Sequence, residues 1–566
     1  MYLGINAFFH DASATIVDKD GRIIAAAQEE RFTRIKRESR FPVESIKYCL
    51  KEAGISINDL DGIGFAWNPN LLFFHRILWG NLFRVRTSLY AIKENLNKWK
   101  NIKNIANLLE KDFGYNSKKV PLKYFRHHDC HAASAYYASP FKNATFLTID
   151  GRGEWENMTW GVYKSGKRTK LGQNYEPNSI GKVYSGTCRF LGFDGAEKDG
   201  TVMALAAYGE ATYLDEYRQI LKITENVGSL SLKVDTSYFD SYSTPDTIFP
   251  SKKFSEKFGI PIRKSGESID QIHKNIAASL QTRTEEIIIE ILKRLCAITG
   301  ESNLVLSGGV ALNSVLNGKL EDVTPFKKIF IQPAASDTGL SLGAAYIFAQ
   351  NKNESGKLKY SMETAALGPS FTENEYEKVI HNAGLKYKKS THIAYDVAKL
   401  LSEGKLVAWF QGRMEFGPRA LGQRSLLADP RPKDMVNKLN EVKKREYFRP
   451  FAISILEEET PRVLEKITDS PFMLKVDNVK NEWKDKIPSA QHIDGSVRIQ
   501  TLKKDSDGIY YDLVKNFYDL TGIPLIINTS LNIKGEPIVC TPTEAIETFV
   551  STKIDALAIG SFLIEK

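Results

Sequence analysis

The sequence predicts an α/β protein built as two units, and three observations carry that class. An apolar strand NLVLSGG (303–309), a glycine-rich turn, a helix ALNSVLNGKL, a strand KIFIQP (328–333) and a helix SLGAAYIFAQ follow one another. Strands alternating with helices across such turns are the pattern of an α/β sheet. A charged stretch without strong periodicity, 351–370, then separates this alternation from a second one. The second opens on the helix YDVAKLLSEG and the strand KLVAWFQG, and closes on IPLIINTS (523–530), TPTEAIETFVST and ALAIGSF. Finally, 566 residues ask for more than one folding unit, here 1–355 and 371–566. No internal repeat is visible.

The elements follow in order. Residues 1–30 read as two strands, LGINAFF and ASATIVD, with Asp18-Lys19-Asp20-Gly21 as hairpin chemistry before RIIAAAQEE. Helical spacing over 43–54, VESIKYCLKEAG, ends on a glycine stop, and IGFAW (63–67) is a further strand. From Trp67 to about Lys103 the text is aromatic and basic, predicting two or three amphipathic helices that project from a sheet core. Ten basic residues oppose three acidic ones over 67–119, so +7 of the chain's +9 lies there. ATFLTID (144–150) is a buried strand running into Gly151-Arg152-Gly153-Glu154. A polar region, 224–270, reads as an insertion before the long amphipathic helix DQIHKNIAASLQTRTEEIIIEILKRLCAIT.

Hydrophobic residues at 42% and charged residues at 26% exclude a disordered chain. Seventy-seven basic residues against 68 acidic ones give a pI near 8.9. This permits nucleic acid, an anionic membrane face or a phosphorylated substrate and selects none of them. Cys49, Cys130, Cys188, Cys296 and Cys540 are scattered, odd in number and never C-x-x-C, which points to a reducing cytoplasm. The opening MYLGINAFFHDASATIVD has no basic region of the signal-peptide kind, and no run of about eighteen apolar residues predicts a membrane span.

Four constellations could carry chemistry. RHHDCHAASAYYAS puts three of the nine histidines, His127, His128 and His131, within five residues. His127 and His131, at i and i+4, share one face of a helix, which suits a divalent metal. A solvated or capping histidine pair is the plainer alternative, but Asp150 and Asp337 lie at strand ends where an α/β sheet gathers its ligands, and they favour the metal. The glycine-rich turns IDGRGE and LSGGVALN suit a phosphate or an adenosine group, or are merely tight turns. In the second unit Arg413, Arg419, Arg424, Arg431, Lys443, Lys444, Arg445 and Arg449 are interleaved with glycine and proline, as in GPRALG. Arginines fixed on such loops suit a multiply anionic small ligand. A nucleic-acid groove would need a ladder of stacking aromatics that is lacking. HIDGSVRIQT with NTSLNIKGEPIV could line a nucleotide pocket or simply make turns.

Taken together, LGINAFFHDASATIVD, QEERFTRIKRESRFP, HHDCHAASAYY, IDGRGE, VMALAAYGE, LSGGVALN, QPAASDTGLSLGAA, GRMEFGPRALGQRS, KKREYFRPFA, HIDGSVRIQT and NTSLNIKGEPIV resemble the ATP- and carbamoyl-phosphate-dependent O-carbamoyltransferases of the nodulation-protein, cephamycin and tobramycin type. The resemblance implies an N-terminal actin/hexokinase-like (ASKHA) domain and a C-terminal YrdC-like domain. The second would make carbamoyl-adenylate from carbamoyl phosphate and ATP; the first would transfer the carbamoyl group to an acceptor hydroxyl at an iron-type metal site. By motif, His127, His131, Asp150 and Asp337 would hold Fe2+ or a similar divalent metal, with Mg2+ accompanying ATP. His10 and Asp11 would serve the acceptor as base or orienter. Ser307, Gly308, Gly309 and Asn313 would contact the nucleotide in the transfer domain. Arg419, Lys443, Arg445 and Arg449 would hold carbamoyl phosphate and the ATP phosphates, and Arg498, Asn528 and Ser530 would line the adenylation pocket. Thr201, Ala204, Arg37 and Leu531 depart from the family text.

The implied partners are carbamoyl phosphate, ATP and a hydroxyl acceptor, by default a sugar or secondary metabolite, without nucleic acid or a membrane span; a homodimer is admitted. Two rival readings stay open. One is a threonylcarbamoyl-type tRNA-modifying enzyme using threonine and bicarbonate. The other is an ATP-binding scaffold whose basic arm recruits a partner or membrane.

Overall fold

A computed structural model describes residues 1–75, 89–195, 198–223, 230–240, 248–353, 356–466 and 469–566. Arg76, Arg84 and Arg86 of the basic arm lie outside them. The chain divides into two compact units. The first comprises Met1–Glu29, Arg37–Asn313 and Lys319–Met362; the second comprises Glu30–Lys36, Ser314–Gly318 and Glu363–Lys566. Mixed α/β architecture, as expected, holds in both.

The first unit carries two five-stranded sheets. One is made of β1 (Tyr2–Asn6), β2 (Ser13–Val17), β3 (Ile23–Gln28), β4 (Gly62–Phe65) and β5 (Leu122–Tyr124), in the order β3-β2-β1-β4-β5. The other uses β6 (Asn143–Ile149), β7 (Glu156–Lys164) and β8 (Lys167–Tyr175); a hairpin of β9 (Leu221–Ile223) and β10 (Leu232–Val234) stands apart, and β11 (Asn303–Ser307) and β12 (Lys328–Ile331) complete the sheet as β12-β11-β6-β7-β8. In each sheet the first three strands pair antiparallel and the last two add in parallel beside the first. The same topology therefore occurs twice, a repeat of fold that the sequence did not show. The helix Leu340–Gln350 packs on β1 and β2 and against the helix His127–Ala138, which lies on β6 and β11. Gly343 allows the two helices to touch, since a Cβ there would sit 1.9 Å from the Cys130 carbonyl oxygen.

Two local expectations change. Residues 1–28 form three strands rather than two: Ile23–Gln28 is itself a strand, paired antiparallel with β2, while β1 ends at Asn6 and leaves 7–12 as a loop. ALNSVLNGKL is not one helix: Asn313 takes ψ 89°, and the piece Ser314–Gly318 belongs to the second unit, where Asn317 Nδ2 donates to the Leu474 carbonyl at 3.0 Å. The aromatic arm supplies the helices Leu89–Lys103 and Ile105–Phe113, the latter stopped by Gly114 at φ 67°.

The second unit is a nine-stranded mixed sheet of β13 (Lys388–Lys389), β14 (Val407–Phe410), β15 (Arg424–Ala428), β16 (Ala452–Leu456), β17 (Lys475–Asn478), β18 (Ser496–Leu502), β19 (Leu525–Ser530), β20 (Ala556–Ile559) and β21 (Phe562–Glu565). It opens earlier than expected, on the helix Glu373–Asn382, whose start the Thr372–Glu375 capping box marks. Its core gathers Trp409, Phe410, Ile453, Ile526 and Leu557, all fully buried. Among the described residues no helix is long and apolar enough to cross a membrane.

Candidate functional site

In the first unit His127 and His131 begin the helix that follows β5, Asp150 follows β6, and Asp337 opens the turn after β12. One donor atom from each lies within 4.8 Å of the others. His127 Nε2 and His131 Nε2 each stand 3.2 Å from Asp150 Oδ2, and 3.7 and 3.6 Å from Asp337 Oδ1. Asp337 Oδ1 is buried without a hydrogen-bond partner, although two imidazoles face it. Two nitrogens and two carboxylate oxygens converging this closely fit a divalent first-row cation. His128 does not join them; its ring is engaged by Thr148 Oγ1 at 2.8 Å and the Glu156 carbonyl at 3.1 Å.

The electrostatics ask for positive charge at this point. Burial and the neighbouring His131 hold His127 well below the ordinary histidine range. Against its own burial, His131 is pushed up to about 9 by its hydrogen bond to Asp150 and by the charges of Asp150 and Asp337. Burial raises Asp337 to about 6, whereas Asp150, despite burial, is kept well below the carboxylate range by hydrogen bonds from His127 and His131. A proton or a metal cation between the oxygens meets that demand.

His10 and Asp11 stand beside the cluster. His10 Nε2 is 3.6 Å from Asp337 Oδ2, and its Nδ1 is 3.3 Å from Asp11 Oδ2. Two further residues had no place in the sequence reading. Asn6 Nδ2 donates to the carbonyls of His10, Asp11 and Asp337 at 3.0–3.1 Å, tying the two loops together, while Trp67 Nε1 donates to its Oδ1 at 3.0 Å. A polar residue ending an otherwise apolar strand was the available signal. Glu154, inside the quoted IDGRGE, accepts the His127 and Asn68 amides and so caps the ligand-bearing helix; burial pushes it up to about 7.

Of the residues expected to touch nucleotide in this unit, Ser307 sits in the cluster's surround, its Oγ 3.2 Å from His131 Nδ1. Gly308 holds φ 93° against the Ile149 backbone, and its amide donates to the Ala335 carbonyl at 2.8 Å. A Cβ on Gly309 would come 3.1 Å from Asp150 Oδ1, and the Asn313 amide is paired with Gln281.

In the second unit the eight basic residues divide by role. Arg424 is fully buried, donates to the carbonyls of Gln411, Gln423, Pro369 and Gly412, and lies 3.6 Å over the Phe410 ring. Arg413 donates to the carbonyls of Gly368 and Leu367, and Arg431 is bound by Asp429. These three brace loops, correcting their reading as ligand grips. The remaining arginines converge instead: besides burial, the charges of Arg419, Arg445 and Arg449 depress Arg498 well below the arginine range. Buried Glu415 shapes the loop that presents Arg419 by accepting the amides of Leu421, Gln423 and Arg424. Asn440 Oδ1, the Pro450 carbonyl and the Phe451 ring fix Arg445. Lys443 Nζ donates to the Ser530 carbonyl at 2.6 Å and to Asn532, a residue the sequence reading omitted. Lys444 caps its helix in the left-handed region. Asn528 is fully buried among Ser454, Gln500 and the Ala420 carbonyl.

Comparison with known proteins follows the same division. Residues 1–346 match the family model described as carbamoyltransferase N-terminus, and residues 398–566 match carbamoyltransferase C-terminus. An uncharacterized protein of Synechocystis sp. is 38% identical over 100% of this chain and 96% of its own length. Nodulation protein NolNO of Sinorhizobium fredii is 35% identical over 99% of this chain and 80% of its own. Nodulation protein U of Bradyrhizobium diazoefficiens is 26% identical over 93% and 91%. The chain belongs to the carbamoyltransferase family and is a transferase.

Proposed function

We propose that the chain is an ATP-dependent O-carbamoyltransferase with an actin/hexokinase-like (ASKHA) transfer domain, 1–355, and a YrdC-like domain, 371–566, that forms carbamoyl-adenylate. The twice-used strand order of the first unit supports the first assignment. What carries the reaction is the arginine group in a chain of this family: the charges of Arg419, Arg445 and Arg449 bear on the buried Arg498, a concentration of positive charge that suits a polyanion. Carbamoyl phosphate and ATP, themselves mutually repelling, are such ligands.

In the first unit His127, His131, Asp150 and Asp337 would hold Fe2+ or a similar divalent ion. That ion, when bound, supplies Lewis-acid polarisation of a carbonyl or phosphoryl oxygen. Ser307 orients the His131 ring through Nδ1, and Glu154 fixes the helix start. The charges of Asp337 and Asp11, against burial, hold His10 up to about 9, so the imidazole, steadied by Asp11 at Nδ1, orients an acceptor hydroxyl, of a sugar or secondary metabolite, by donating from Nε2.

The experiment supplies purified protein with ATP, carbamoyl phosphate and candidate acceptors, and follows AMP and carbamoylated product. AMP that depends on threonine and bicarbonate, with carbamoyl phosphate left unconsumed, would replace this reading by the threonylcarbamoyl one. Undiminished transfer by His127→Ala would remove the metal role.

A further inference from the structure

The aromatic arm has no part in the proposed reaction, yet one of its helices is built into the surround of the His–Asp cluster. Leu89–Lys103 is fastened at its C-terminal end. Ile102 is fully buried, the Tyr124 hydroxyl donates to its carbonyl at 3.3 Å, and Lys103 Nζ donates to Asn70 Oδ1 at 3.2 Å. One turn earlier Lys98 Nζ stands 4.6 Å from the centre of the Phe9 ring. Phe9, the neighbour of His10, stacks at 3.7 Å on Trp67, and the Trp67 ring lies 4.3 Å from the imidazole of His127. Three successive side-chain contacts thus join the helix to a candidate metal ligand.

The same face of that helix carries an unsatisfied acceptor and an unsatisfied donor. Asn95, Lys98 and Trp99 stand at i, i+3 and i+4 and so share one face. Asn95 is 6% exposed and Lys98 9%. Lys98 is matched by Glu94 at 3.0 Å, but Asn95 Oδ1 and Trp99 Nε1 are both enclosed without a hydrogen-bond partner. Buried polar atoms are costly to leave unpaired. Ligand hydroxyls can relieve both, since a hydroxyl donates to the first atom and accepts from the second.

The surroundings narrow the ligand's chemistry. Phe73 lies 5.2 Å from Trp99, so rings form the wall beside the two open atoms. Those atoms are neutral, and the Lys98 charge is already met. A ring with an apolar face and hydroxyls along its edge satisfies the donor, the acceptor and the aromatic surface together. We propose that Asn95 and Trp99 bind the acceptor as a neutral sugar, its ring against Phe73 and Trp99, leaving a further hydroxyl for the His10 side of the cluster. This rests on the transfer reading of that cluster and makes the arm the part of the chain that selects the acceptor.

The test uses the full chain with Asn95→Leu, which keeps the volume without the acceptor, and Trp99→Phe, which keeps a ring without the donor. The wild type is first passed over an array of immobilised neutral mono-, di- and trisaccharides, and the glycans it retains are titrated by calorimetry. Each substitution should weaken binding of a retained glycan by about tenfold, the scale of one hydrogen bond in an enclosed site. The melting temperature should hold or rise, because an unpaired polar atom is gone. No glycan retained by the wild type, or undiminished binding by either variant, overturns the proposal. Adenosine bound in place of glycan, and lost in both variants, also overturns it and makes this face a nucleobase site. If Asn95→Leu does not fold, Trp99→Phe decides alone. A wild type that binds glycan through these residues but releases no pyrophosphate from ATP and carbamoyl phosphate strikes the proposed reaction and leaves the sugar site standing.

Discussion

Replacing Arg498 with methionine removes one guanidinium from a group of four while keeping an unbranched stem of similar length. Its Nε is enclosed without a hydrogen-bond partner, and a buried donor left in that state costs about 1–3 kcal/mol. Repulsion from Arg419, Arg445 and Arg449 adds to this, while the methionine stem retains most of the packing. The net expectation is a more stable second unit by about 1–2 kcal/mol, the usual scale when a functional site is relieved of its strain. For a unit of this size each kcal/mol moves the midpoint by about 2–4 °C, so calorimetry in phosphate-free buffer should show a rise of roughly 2–8 °C. Pyrophosphate release from ATP in the presence of carbamoyl phosphate should fall on the order of 100-fold, as when one preorganised donor to a developing charge is lost. Pyrophosphate should narrow the gap in melting temperature, because a ligand that binds only the folded wild-type site raises its stability. A variant that melts lower than wild type and still releases pyrophosphate from ATP would refute the reasoning and make Arg498 a structural cation like Arg424.

Other outcomes follow from the same geometry. His131→Ala should lower metal affinity by on the order of 100-fold or more and abolish carbamoyl transfer while pyrophosphate is still released from ATP; metal analysis, pyrophosphate and product mass check these. A chelator should stop transfer by the wild type and add nothing to the loss in His131→Ala. Ser307→Ala removes the partner of His131 Nδ1 and should weaken metal binding by about 10–100-fold with the fold intact, as read by metal titration and circular dichroism. Arg424→Met strands four carbonyl acceptors and should cost about 3–5 kcal/mol, measured by denaturant titration.

Much of this was legible in the residues because local signals coincide with local causes. His127 and His131 needed only helical spacing, and Asp150 and Asp337 only their position at strand ends. The long helix Gln271–Thr299 announced itself through apolar period and the Gly300 stop. Roles set by distant partners were not legible. Arg424 and Arg419 stand five residues apart in one glycine-rich phrase, yet one is spent on four carbonyls and the other joins a cationic cluster. Nothing in GPRALGQRS separates them, because the difference is made by Glu415, Phe410 and the strands that bury them. The break at Asn313 was not legible either: the chain leaves the helical region there, and just beyond it Asn317 bonds the carbonyl of Leu474, a partner far along the sequence.

The repeated topology explains why the candidate metal ligands come from scattered places in the sequence. In the first sheet the loop after β1 carries His10 and Asp11, and the helix after β5 carries His127 and His131. In the second sheet the equivalent loop after β6 carries Asp150, and the equivalent helix after β12 is introduced by Asp337. The two helices pack directly on each other at Gly343 and Cys130, so their starts and the two loops meet at one end of that contact. Each half therefore supplies one loop and one helix start, and neither half contains all four ligands. A duplicated fold can diverge freely in sequence so long as strand order and the helix contact survive, which is why the repeat is absent from the residues and plain in the sheets. The halves have also divided the chemistry. Imidazoles lie in the first and the two metal-facing carboxylates in the second, with Asn6 bonded to the carbonyls of His10 and Asp337 across the join. A change that loosens that join, such as Asn6→Ala, should thus spread the donor set without removing a donor, lowering metal affinity while each half keeps its strands.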